Sequence, residues 1–133
     1  MILVLCAQDI ASCHMGIVKD GVLLRERSVM TPPDGHLAAI EASLREWGIT
    51  RENLTGLAVV CGPGSFTASR SSVATANGLA FALCLPLYAF SNPDRLPLSE
   101  IIAVLASAAP VSLPVLPEYD KAPHITAPKS KKS

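Results

Sequence analysis

The sequence predicts a single α/β lobe, a mixed five-stranded sheet with helices in the order β-β-β-α-β-α-β-α, and three observations predict it. Ile2 to Cys6 is an unbroken aliphatic run, as a strand buried on both faces requires. Two further apolar runs, Met15 to Val18 and Val22 to Leu24, flank a turn at Lys19-Asp20-Gly21 and read as a hairpin. Beyond the hairpin, helical and strand periodicities alternate, and a β-α-β-α-β half with right-handed crossovers gives parallel pairing.

The elements follow in order. With Asp34 as N-cap, Leu37, Ile40, Leu44 and Trp47 recur at helical spacing, and Gly48 marks the stop. Leu57 to Cys61 supplies the fourth strand, and a glycine turn leads into a second helix over Phe66 to Leu83. Pro86 precedes a fifth strand, Leu87 to Phe90, and Asn92-Pro93 opens a third helix covering Leu98 to Ala108. An antiparallel hairpin in front of a parallel half is the arrangement of ribonuclease H-like and actin-like (ASKHA) lobes. Residues 1–109 are expected to form this domain. Residues 110–133, with Pro110, Pro114, Pro117, Pro123 and Pro128, are expected to be an extended or disordered tail.

At 133 residues the chain is long enough for one domain with its own core. Half of its residues are hydrophobic and 17% are charged, so the surface is poor in charge and leaves apolar area for a partner. A formal net charge of zero argues against a protein that holds nucleic acid by its own basic surface. Lys129, Lys131 and Lys132 form a short basic tail that either meets phosphates or is a solvated end. Cys6, Cys13, Cys61 and Cys84 lack CxxC spacing and read as reduced core thiols. Asp9 and His14 interrupt the apolar start, which therefore reads as a strand rather than a signal peptide. The apolar stretches Val73 to Phe90 and Ile101 to Leu116 are broken by Pro86, Pro110 and Pro114, short of a spanning helix. The cytoplasm is the expected compartment.

The turn Gly62-Pro63-Gly64-Ser65-Phe66-Thr67 carries the strongest local signal. Gly62 and Gly64 permit unusual backbone angles, Pro63 stiffens the turn, and Ser65 or Thr67 can cap the following helix, whose N-terminus favours an anion. Catalytic readings of the turn fail on chemistry. A phosphate-binding loop needs a lysine after its glycines, and here Ser65-Phe66-Thr67 follow Gly64. A nucleophile elbow needs serine between glycines in G-x-S-x-G, and Ser65 directly follows Gly64. His14, His36 and His124 lie too far apart for a metallopeptidase motif; His36 reads as a surface residue and His14 as hydrogen-bonded in the core. Asp9 is the carboxylate nearest the end of the first strand and reads as a turn cap.

Small residues fill the second helix. Ala68, Ser72, Ala76 and Ala80 make one stripe, and Ala74, Gly78 and Ala82 another, while Val73, Phe81 and Leu83 can face the sheet. Such faces allow close helix approach. Either the first helix or another subunit covers the stripe, and a helix pair from each of two subunits would give a four-helix contact.

The run Gly62-Pro63-Gly64-Ser65-Phe66-Thr67, then Arg70, then Ala74-Thr75-Ala76-Asn77-Gly78-Leu79-Ala80 and Leu85-Pro86-Leu87 resembles the TsaB (YeaZ) family over roughly residues 1 to 100. Ala7-Gln8 stand where that family has an aspartate and a threonine, and Ala68 replaces a family glycine. Most members also have a second lobe, which is expected to be absent here. The resemblance implies a non-catalytic scaffold or activator that docks the related enzyme TsaD for threonylcarbamoyl-adenosine (t6A) formation in tRNA, with TsaE as a further partner. It implies no cofactor of its own, ATP and metal belonging to TsaD, and contact with tRNA only indirectly or through the lysine tail. The contact positions expected on the two helices are Leu37, Ile40, Leu44, Ser69, Ser72, Val73, Ala76, Ala80 and Leu83; without TsaD the same patch would form a homodimer. The rival reading is a small nucleotide-binding enzyme or regulator that uses the glycine turn for phosphate.

Overall fold

The computed structural model describes residues 1–105, 109–110 and 114–117. Its elements are β1 (Ile2–Cys6), β2 (Ser12–Lys19), β3 (Val22–Met30), α1 (His36–Glu46), β4 (Gly56–Gly62), α2 (Phe66–Leu83), β5 (Leu87–Ser91) and α3 (Leu98–Leu105). The sheet order is β3-β2-β1-β4-β5. β1 and β2, and β2 and β3, pair antiparallel, whereas β1 with β4 and β4 with β5 pair parallel. The expected mixed sheet and element order are therefore present. The last three residues of the expected third helix, 106–108, lie outside the described residues.

Local chemistry explains the hairpin. Asp20 and Gly21 both have positive φ, 53° and 77°, the mirror-image turn whose twist matches two antiparallel strands. β3 runs six residues beyond Leu24 to Met30, because Arg25, Glu26 and Arg27 alternate on an exposed edge strand where no apolar run marks them.

Both faces of β1 and β4 are covered, which is why those strands are aliphatic throughout. Leu3, Leu5, Met15, Ile17, Leu57 and Val59 pack beneath α1 and α2. Val4, Val18, Ala58 and Val60 face the other way, against Leu98, Ile101 and Leu105 of α3.

Four expectations need correction. Asp34 is not the cap of α1: it sits in a 3-10 turn, Pro33–Gly35, and Gly35 takes the N-cap position without a side-chain bond. Asn92 does not open a helix; it is buried at the end of β5, and α3 begins only after Pro97. Cys84 is exposed, ending α2 in the left-handed conformation at φ 55°. Phe81 does not face the sheet and is 79% exposed. The inward arc of α2 is Ala68, Ser69, Ser72, Val73, Ala76 and Ala80, whose small side chains let the helix lie close on the sheet and turn Phe81 outward.

Candidate functional site

The ends of β1, β4 and β5 meet at the glycine turn, and a buried amide pair joins them. Gln8 is 7% exposed; its Nε2 donates to Pro63 O at 2.6 Å and to Asn92 O at 2.8 Å. Its Oε1 accepts from Asn92 Nδ2 at 3.1 Å, with the Cys6 thiol 3.6 Å away. Asn92 also donates to Leu96 O at 3.0 Å and accepts from Leu96 N at 2.9 Å, and its own N–H donates to Gly62 O at 2.7 Å. The carbonyl of Gln8 accepts from Ser65 N at 2.9 Å and from Arg95 Nη1 at 3.4 Å. The ends of β1, β4 and β5 are thus tied to one another by protein groups.

The two glycines of the turn serve different needs. Gly62 has φ 125°, a conformation that side chains resist, and precedes a cis peptide bond to Pro63. Gly64 does not have positive φ, contrary to the expectation that both glycines supply unusual angles. It makes room instead, since a Cβ there would lie 2.7 Å from Gln8 Cα and O. Ser65 caps α2, accepting from Ala68 N at 3.1 Å, as expected for one of the two candidate caps; Thr67 is exposed. Arg70 is exposed and stacks its guanidinium 5.4 Å from the Phe66 ring centroid.

The side chains at these strand ends are amides, not carboxylates. Gln8 and Asn92 bond to one another and to the carbonyls of Pro63 and Leu96, and Asp9 is exposed in a turn with Ala11 N at 3.5 Å. Among the described residues no group of three His, Cys, Asp or Glu could hold a metal ion. Burial pushes the Cys6 thiol up to about 11 and that of Cys13 up to about 12, so neither is a thiolate nucleophile at neutral pH.

His14 and His36 are placed otherwise than expected, and His124 lies outside the described residues. His14 is half-exposed and its Nε2 lies 2.6 Å from Glu26 Oε2. His36 is 1% exposed, with neither ring nitrogen bonded to a described protein group, and buried Ser69 Oγ is likewise unpaired. The 3-10 turn before α1 is tied to α2 where Ser71 Oγ donates to Pro33 O at 2.5 Å. Burial lowers the His36 pKa from 6.5, opposed by nearby Asp34. The unfolded chain therefore binds this proton more readily than the folded one. Stability is expected to be flat above about pH 6.5 and to fall by up to about 1.4 kcal/mol per pH unit below it, until the folded pKa is reached. Denaturant titrations of the wild type and His36→Phe between pH 7.5 and 5 check this: the difference between them should carry that slope.

Of the nine expected contact positions, Ile40, Ser69, Ser72, Val73, Ala76 and Ala80 are buried in this chain's own core. Leu44 and Leu83 are half-buried, and Leu37 is exposed. The outer arc of α2 is formed by Phe66, Arg70, Ala74, Gly78 and Phe81, and Phe66, Thr67, Arg70, Ser71 and Ala74 border a shallow depression there. Sequence reasoning found the Ala74 and Gly78 stripe of this arc but not its aromatic end, because it assigned Phe81 to the sheet.

A five-stranded mixed sheet with helices on both faces, and a glycine turn from β4 into α2, defines an actin-like, ribonuclease H-like lobe. The structure of YeaZ from Pseudomonas aeruginosa agrees: it is 28% identical, with a TM-score of 0.59, over 68% of this chain and 43% of that one. A Pseudomonas aeruginosa protein described as uncharacterized, with similarity to peptidase YeaZ, matches with the same values. The chain thus spans 43% of the length of these solved structures. Residues 36–115 match the family of TsaD, tRNA N6-adenosine threonylcarbamoyltransferase. The chain belongs to that family, and its lobe is of the TsaB (YeaZ) kind. No curated protein sequence matches it. No helix among the described residues is long and apolar enough to cross a membrane.

Proposed function

We propose that this chain is a non-catalytic scaffold or activator in t6A modification of tRNA, docking a TsaD-type catalytic subunit through the outer arc of α2. The observation that carries the reading is that arc itself. Phe66 and Phe81 are 53% and 79% exposed at its two ends, and the floor between them is Ala74 and Gly78. Aromatic side chains left in water beside small ones offer a partner both anchoring area and close backbone approach. The amide-filled strand ends support a division of labour in which ATP, metal and transfer chemistry belong to the partner. TsaE would join through the same assembly, and tRNA would be met only indirectly or through Lys129, Lys131 and Lys132.

Phe81→Glu tests the reading, because this exposed side chain has little role in folding. Co-elution with purified TsaD-type subunit should be lost while the melting temperature stays within about 2 °C of wild type. Undiminished co-elution of a folded variant would remove α2 as the docking face. The rival nucleotide reading predicts that saturating ATP raises the melting temperature of the chain alone; no rise is expected.

A further inference from the structure

Asn77, half-buried on α2, holds a residue 38 positions further along the chain by its backbone. Its Nδ2 donates to Val115 O at 2.9 Å, and its Oδ1 accepts from Val115 N at 2.8 Å. The N–H and C=O of one residue point the same way only in extended backbone, so this amide treats Val115 as a neighbouring strand would. The sequence prepares that conformation: Pro114 has a fixed φ, and Pro117 biases Leu116 toward extended geometry.

Between two such backbone contacts a single side chain enters the core. Val115 is 8% exposed and belongs to the cluster that contains Val73, Ala76 and Ala80, so the core reaches past the expected domain boundary at residue 109. Leu105 packs on the opposite face of the sheet, and the chain therefore changes face between Leu105 and Val115. Pro114 and Leu116, on either side of the buried residue, are exposed. Among the described residues the two Asn77 bonds are the only hydrogen bonds to residues 114–117. The attachment thus gains one buried valine and two hydrogen bonds, and it costs the backbone freedom of the segment. These terms oppose one another closely, so the segment lifts far more readily than the lobe unfolds.

We propose that residues 114–117 are a releasable strap, a peptide ligand seated in cis. Its seat recognises an extended peptide through the Asn77 amide and one branched apolar side chain through the core beneath α2. The occupant is this chain's own Pro114-Val115-Leu116-Pro117, and lifting it opens the seat to a peptide of the same pattern. The strap is independent of the docking reading given above, which concerns the outer arc of α2.

Two measurements on the full chain test it. Amide hydrogen exchange at Val115 should run at least about a hundredfold faster than at Val59 in β4, because strap opening is local. Equal rates would make the segment an integral part of the core and overturn the strap. Val115→Asp lifts the strap without altering the seat. This variant should melt cooperatively and bind a labelled synthetic peptide with the wild-type sequence of residues 112–119. The wild type should bind that peptide at least about tenfold more weakly, since its own segment competes. Adding Asn77→Ala to Val115→Asp should abolish the binding. A Val115→Asp chain that does not fold, or that folds and ignores the peptide, overturns the proposal.

Discussion

Replacing Gln8 by leucine is expected to lower the stability of the chain by about 3–5 kcal/mol, seen as a fall in melting temperature on the order of 10–20 °C. Leucine fills similar space but offers neither donor nor acceptor. Pro63 O and Asn92 O would each lose a bond from Nε2, and Asn92 Nδ2 would lose its acceptor Oε1. A buried polar group left without a partner costs about 1–3 kcal/mol, so the loss of these bonds outweighs the gain from an added apolar side chain. The total stability of a domain is itself only about 5–15 kcal/mol, which makes the effect large. Urea unfolding of the two proteins decides the matter. A loss below about 1 kcal/mol would show that the three strand ends hold together without this amide.

The same side chain shows what the sequence carried and what it withheld. Aliphatic runs in β1 and β4, the Asp20-Gly21 turn and the helical spacing of Leu37, Ile40 and Leu44 were legible because each is a local pattern with a local physical cause. Ser65 as a cap was legible for the same reason. Gln8 and Asn92 are 84 residues apart, and nothing near either residue marks their pairing. That Ala7 and Gln8 stand where the resemblance expects an aspartate and a threonine could be read, but not that the Gln8 amide ties the strand ends together. Periodicity also left the rotation of α2 open, since small residues permit either face to turn inward. The sheet settled it by taking Ala76 and Ala80, which sent Phe81 to solvent and buried most of the positions expected to meet a partner. His36 was misplaced because its burial is set by tertiary packing that no local sequence pattern marks.

Gly64→Ala is expected to destabilise the chain by about 3 kcal/mol, although a single methyl group is added. The new Cβ would stand 2.7 Å from both Cα and O of Gln8, closer than carbon and oxygen tolerate, and the obstructing atoms are backbone. A side chain could rotate away; this backbone cannot, because Gln8 O already accepts from Ser65 N in the next turn. Relief requires the glycine turn to withdraw from the end of β1, which stretches the Gln8 bonds to Pro63 O and Asn92 O as well. The cost should therefore not add to that of Gln8→Leu: once the amide is gone, the turn is free to shift, and the double variant should lose at least about 1 kcal/mol less than the two single losses combined. Full additivity in a thermodynamic cycle would mean that Gly64 and the amide act separately. Coupling of the predicted sign would establish that the turn's glycine lets β4 and α2 seat against Gln8, a packing role for the motif that needs no bound phosphate.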